Sequence, residues 1–197
     1  IYGGLRMTGR INKWDIGILD MQTASFYENP SENFGIFRTK RSVFNPNSYI
    51  GGMVTSRLGL NGSYNAAYGL DGQFRVTGDE FMTVKWAQTF EKDSVNKIFD
   101  SAPSRFLFEW QRRKIKGFAY DFVYTYSGKS FNPGVGFEVK DNYQGVKTIL
   151  QYGWLPERET FLRYHTISLT AYDFWNTLTG LHETTNGILK WSFEAKK

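Results

Sequence analysis

Phe118, Tyr120, Phe122, Tyr124 and Tyr126 alternate with Ala119, Asp121, Val123 and Thr125, and this run constrains the fold more than any other part of the sequence. Side chains of an extended strand point alternately to its two faces, so a strand here carries five rings on one side. The same period of two recurs along the chain. Trp14, Ile16 and Ile18 show it, as do Tyr68, Leu70, Phe74 and Val76; Met82, Val84 and Trp86; and Phe106, Phe108 and Trp110. Val135, Phe137 and Val139 follow, then Val146, Thr148, Leu150, Tyr152 and Trp154. No stretch holds a helical period.

The pattern predicts about twelve strands, near residues 2–9, 14–23, 33–44, 48–57, 65–77, 80–91, 104–112, 117–127, 134–140, 144–154, 161–174 and 182–194. Most are longer than the five or six residues usual in soluble sheets. A length of about ten residues is what a tilted strand needs to cross a bilayer. The predicted connections alternate in length. Arg10–Lys13, Asn45–Asn47, Gly78-Asp79, Arg113–Lys116, Asp141–Tyr143 and Asn176–Gly180 are short, whereas Ala24–Glu32, Leu58–Tyr64, Lys92–Pro103, Gly128–Pro133 and Leu155–Thr160 are longer. In an up-and-down meander that rhythm puts tight turns at one end and loops at the other, as in outer-membrane barrels.

Composition separates a soluble barrel from a membrane one. The 197 residues include 17 Phe, 12 Tyr and 6 Trp, yet mean hydropathy is only −0.45. No apolar run is long enough for a transmembrane helix, but a membrane barrel hides its apolar residues by alternation. The interior of a small soluble barrel must mix large and small fillers, which five rings from one strand resist. A lipid-facing surface sets no such limit. The expected fold class is therefore all-β, an antiparallel meander forming a transmembrane β-barrel or a large part of one. Residues 1–197 read as a single barrel segment, incomplete at both ends, because Ile1-Tyr2-Gly3-Gly4-Leu5 already reads as mid-strand.

Each face then acquires a role. The lipid-facing aromatic candidates are Trp14, Phe74, Trp86, Phe106, Phe108, Trp110, Phe118, Tyr120, Phe122, Tyr124, Tyr152 and Trp154. Trp14, Tyr126, Trp154 and Trp175, near strand ends, suit interfacial girdles. The lumen-facing polar candidates are Asp15, Asp71, Gln73, Arg75, Lys85, Glu109, Asp121, Glu138, Lys147 and Gln151. Both signs occur, which fits either a self-compensated wall or a lining that selects polar solutes.

Sites of other kinds find little support. With no Cys there are no disulfides, thiolate metal sites or cysteine nucleophiles. His165 and His182 fall on one predicted hairpin, without a third metal ligand. Gly3-Gly4 and Gly51-Gly52 lack a phosphate-loop pattern. Asp15, Asp20 and Asp71 are ordinary on a polar barrel face. No catalytic residue, cofactor or metal is expected. Basic residues gather at short turns (Arg10, Lys13, Arg38, Lys40, Arg41, Arg112, Arg113, Lys114, Lys116), and acidic ones by long loops (Glu28, Glu32, Glu91, Asp93, Asp100, Glu157, Glu159). The net charge of +5 permits acidic partners, but nucleic acid is not expected, because aromatic and charged residues fall on opposite faces.

Several segments carry a family resemblance: Gly9-Arg10-Ile11-Asn12-Lys13-Trp14, the strand Asp15–Thr23, Phe37-Arg38-Thr39-Lys40-Arg41, and Ser48-Tyr49-Ile50-Gly51. Ser127–Val139 is similar in style. Together these resemble the C-terminal β-barrel region of a Bacteroidota outer-membrane family of unknown function, whose members place a carbohydrate-binding-like domain before the barrel. The resemblance implies location in the bacterial outer membrane and a role as channel, scaffold or anchor. The expected partners are membrane lipid, other outer-membrane or periplasmic subunits and extracellular glycan. The alternatives are a cell-surface glycan-binding protein, or a glycan-processing enzyme whose active part lies outside this segment. Phe26, Tyr27, Tyr64, Phe99 and Phe131 are the aromatics of the long loops, and none is a Trp.

Overall fold

A computed structural model describes residues 1–94, 96–156 and 161–195. Eleven strands form one antiparallel sheet in chain order. They are β1 (Gly3–Ile11), β2 (Trp14–Gln22), β3 (Glu32–Ser42), β4 (Tyr49–Gly59), β5 (Tyr64–Thr77) and β6 (Glu80–Glu91), then β7 (Ser104–Arg112), β8 (Gly117–Ser127), β9 (Tyr143–Trp154), β10 (Leu162–Asn176) and β11 (His182–Ala195). The described residues include no helix long and apolar enough to cross a membrane, which has no bearing on strands. An eleven-residue strand such as β8 is about 37 Å long. Tilted by about 45°, it spans the roughly 25 Å apolar band of a membrane barrel.

One expected strand does not form. Residues 134–140 lie in the β8–β9 connection, because β8 and β9 pair directly from Ser127↔Tyr143 onward and leave no edge between them. Pro133, Gly134 and Gly136 weaken the segment further as a strand, and Phe137 and Val139 are each 86% exposed. The alternation of Val135, Phe137 and Val139 was a local pattern without a neighbour to pair with. The expected count of twelve therefore becomes eleven.

The correction shifts the ends of the sheet as well. Asn12-Lys13, Val43–Ser48, Gly78-Asp79 and Arg113–Lys116 share one end, and Asn12 and Gly78 make their tight turns with positive φ. Thr23–Ser31, Leu60–Ser63, Lys92–Pro103 and Gly128–Asn142 share the other. The β9–β10 connection, expected among the long loops, joins the short-turn end instead, and Thr177–Leu181 joins the loop end. The acidic pair Glu157 and Glu159 expected there lies outside the described residues.

The sheet is open. Among the described residues, β1 pairs only with β2, and β11 only with β10. With an odd number of antiparallel strands, β1 and β11 run in the same direction, so pairing them directly would be parallel.

Register carries each strand's alternation across to the next. Phe122 pairs with Trp110 and Thr148, Trp110 with Met82, and Met82 with Phe74. One face thus gathers the rings and aliphatic residues from Leu5 on β1 to Phe193 on β11. The other gathers most of the charged, small and hydroxyl residues, with apolar residues such as Ile36, Leu107 and Ile149 among them. Burial follows the same division. Thr55, Thr83, Thr89, Ala119 and Thr166 on the polar face are buried, whereas Trp110, Phe118, Phe122, Tyr152, Leu189 and Trp191 on the aromatic face are exposed.

Almost nothing serves as a conventional core. Among the described residues, the buried hydrophobic side chains are Ala119, Phe131 and Tyr143. The accessible surface is 13099 Å², against about 9600 Å² expected of a compact monomer of this mass.

Candidate functional site: the polar face and the segment folded onto it

The ten polar candidates divide cleanly. Asp15, Asp71, Gln73, Arg75, Lys85, Glu109, Asp121, Lys147 and Gln151 share the polar face through the strand registers. Glu138 is the exception. It belongs to no strand, but to the β8–β9 connection. All twelve aromatic candidates share the opposite face.

Charge pairing on the polar face is local. Arg10 on β1 pairs with its cross-strand partner Asp15 on β2. Arg38 on β3 reaches over β4 to make a two-pronged contact with Asp71 on β5. Gly51 makes that reach possible: a Cβ there would stand 3.0 Å from the Arg38 guanidinium and 3.0 Å from the Thr39 carbonyl oxygen. Arg57 donates to Glu32 at 2.9 Å. Further along, register places Glu109, Asp121 and Lys147 on adjoining strands. The Asp121 Oδ1 atom is buried and has no hydrogen-bond partner, a condition that native proteins seldom tolerate without a role or a water.

The largest departure from a plain strand wall is the connection Gly128–Asn142. It folds back onto the polar face rather than standing clear of the sheet. The Asn132 amide donates to Thr89 Oγ1 at 3.3 Å, and the Asn132 side chain donates to Glu91 at 3.0 Å. Asn65 closes the contact from β5, donating to the Asn132 carbonyl at 2.8 Å and accepting from the Gly134 amide at 2.7 Å. A Cβ on Gly134 would lie 2.7 Å from the Asn65 carboxamide carbon, so only glycine permits this approach. Glu138 pairs with Arg105 on β7, and Lys140 with Glu183 on β11. The segment therefore spans the polar face from β5 to β11.

The other long connection behaves differently. Lys92–Pro103 leans on the aromatic face, where Gln88 is fully buried. The Gln88 carboxamide accepts from the Tyr68 hydroxyl at 2.9 Å and from the Phe99 amide at 3.0 Å, and Phe99 lies 5.6 Å from Trp86.

Between Arg38 and Arg105 the polar face holds a depression of about 500 Å³, lined by Tyr49, Asp71, Lys85 and Leu107 among others. A neighbouring cavity of about 630 Å³ lies under the folded segment, with Glu91, Phe131 and Glu138 in its wall. Arg105 stands between the two.

The aromatic face carries its own polar rim. Near the short turns, Glu80 accepts from the Tyr120 hydroxyl at 2.6 Å and from the Trp110 indole at 3.2 Å. Arg41 lies over Trp14. Trp14, Trp110 and Trp154 fall toward the short-turn end of their strands, and Tyr64, Tyr126 and Trp175 toward the loop end.

The remaining sequence candidates separate. His165 pairs with Phe193 and stacks on Trp154, whereas His182 pairs with Trp175 at the far end of the same hairpin. Among the described residues, no group of His, Asp and Glu is arranged to hold a metal ion. Asp20 lies on the aromatic face, away from Asp15 and Asp71. Sequence reasoning passed over Arg38 and Arg105 as site residues, although polar-face parity with Asp71 and Lys85 marks both. Nothing in the sequence marks Asn65 or Thr89, whose partners lie in a loop far along the chain. No family model matches the chain, nor does any curated protein or solved structure.

Proposed function

We propose that this sheet is part of the wall of a bacterial outer-membrane β-barrel, with the aromatic face toward lipid and the polar face toward the lumen. One observation carries the reading. Exposed rings and aliphatic side chains stand on one face in ten of the eleven strands, while the buried hydrophobic set among the described residues is Ala119, Phe131 and Tyr143. In water such a surface has no offsetting core, and exposed apolar patches of this extent mark membrane or protein contact. Lipid removes the penalty without requiring a second layer. The rings at both strand ends and the buried small residues of the polar face agree with this assignment.

The wall closes through further antiparallel strands that pair with β1 and β11. Because those two edges run the same way, the number of added strands is odd. The barrel serves as a channel or as an anchor for other envelope components, in keeping with the resemblance to the Bacteroidota outer-membrane family.

Detergent dependence tests the reading directly. The full-length protein is expected to require detergent or lipid to stay monodisperse and to float with liposomes in a density gradient. A monodisperse, liposome-indifferent protein in plain buffer would sink it. Conductance in planar bilayers then separates an open channel from a sealed scaffold.

A further inference from the structure

The segment Gly128–Asn142 places a carboxylate on a basic site that the sheet itself builds. Arg105 on β7 and Lys85 on β6 both point to the polar face, as diagonal neighbours in the register Lys85↔Leu107 and Ala87↔Arg105. Diagonal neighbours of this kind stand about 7–8 Å apart. Both line the 500 Å³ depression that also holds Arg38. Arg38 is committed to Asp71. Lys85 makes no ion pair within 4 Å among the described residues, although it faces Asp71 across the register and contributes to that carboxylate's field. The Arg105 partner is Glu138, which arrives from the folded segment rather than from an adjoining strand. The Glu138 side chain is only 9% exposed, so the carboxylate is well inside a prepared site.

A wall that only needed charge neutrality could place an acid on the neighbouring strand, as Arg10 and Asp15 do. Here neutrality comes from a tethered group on a connection whose other contacts are hydrogen bonds to Asn65, Thr89 and Glu91 and one exposed Lys140–Glu183 pair. We propose that Arg105 and Lys85 form a binding site for the carboxylate of a small anionic solute, and that Glu138 is a tethered occupant which such a solute displaces. Two carboxylates cannot share Arg105 in the same geometry, so solute binding and docking of the Glu138 stretch exclude one another. Release of Glu138 frees the middle of the segment, while Asn65 and Thr89 retain its first part. The site rests on contacts within the chain and does not depend on what covers the aromatic face.

Succinate titrated into the full-length protein by calorimetry, in detergent or in buffer as its solubility dictates, tests the site. Saturable binding is expected, with faster hydrogen exchange across Val135–Lys140 as succinate is added. Sodium chloride at matched ionic strength should leave both readouts unchanged. Glu138→Gln removes the tethered competitor, whose effective concentration is in the millimolar range, and should tighten succinate binding about tenfold. Arg105→Gln should abolish binding. Should Arg105→Gln fail to fold, Lys85→Gln provides the second test, with binding weakened several-fold and the segment still docked. Absence of succinate binding in both the natural protein and Glu138→Gln overturns the proposal. So does an affinity that Glu138→Gln leaves unchanged, which would make Glu138 a structural strap only. Detergent dependence fails or holds independently of either result.

Discussion

The two faces of this sheet share every backbone hydrogen bond and differ in almost everything else. On the polar face, charged side chains pair among small and scattered apolar ones, glycine opens room for a guanidinium, and a long connection folds down as a cover. On the aromatic face, rings stand exposed in rows and meet polar partners only near the strand ends. The difference shows which environment each face is built for. Backbone pairing gives the sheet its shape, but the free energy of keeping it folded depends on what covers the rings. A soluble protein would supply that cover as a second layer; among the described residues no second layer lies over the rings.

The sharpest way to break this comparison is to put the same charge on both faces of one strand. Phe122→Arg, at the centre of β8, should destabilise the protein in lipid by about 2–4 kcal/mol. Val123→Arg, one residue on and facing the other way, should cost less than about 1 kcal/mol by the same scale. Urea unfolding from liposomes measures both, and equal effects would remove the distinction between the faces.

Neighbouring glycines give a finer test. Gly51→Val pushes into the Arg38 guanidinium and the Thr39 carbonyl and should cost about 1–3 kcal/mol. Gly52→Val points to the aromatic face, where the nearest atom to a Cβ is a Leu70 methyl at 3.4 Å, so a change within about 0.5 kcal/mol is expected. Denaturant midpoints of the two variants decide between them. The smallest effect belongs to the rim. Tyr120→Phe removes one hydroxyl donor from Glu80 and should lower stability by about 0.5–1.5 kcal/mol, read as a small shift in the same midpoint.

Much of this architecture was legible in the sequence because period two is a one-dimensional signal. Both ends of all eleven described strands fall within two residues of where alternation puts them, since each strand's apolar set must face one way. The exception is instructive. Val135, Phe137 and Val139 alternate as well as many true strands do, but strand formation also needs a partner edge, and the direct pairing of Ser127 with Tyr143 removes it. Alternation reports what a segment could do; pairing decides whether it does. The candidate site was legible to the same extent. Asp71, Lys85 and Asp121 are assigned by parity alone, but Glu138 reaches Arg105 through a loop path that no periodicity encodes. The use of Gly51 as a passage for Arg38 depends on the register of three strands at once.

The odd strand count has a consequence for sidedness. Gly3 begins β1 at the loop end of the sheet, whereas Ala195 closes β11 at the short-turn end. If the sheet spans a membrane, polypeptide joined before Gly3 and polypeptide joined after Ala195 lie in different compartments. A reporter fused at either point would then be exposed to the outside at one and to the periplasm at the other, the odd number of strands carrying the chain from one side of that membrane to the other.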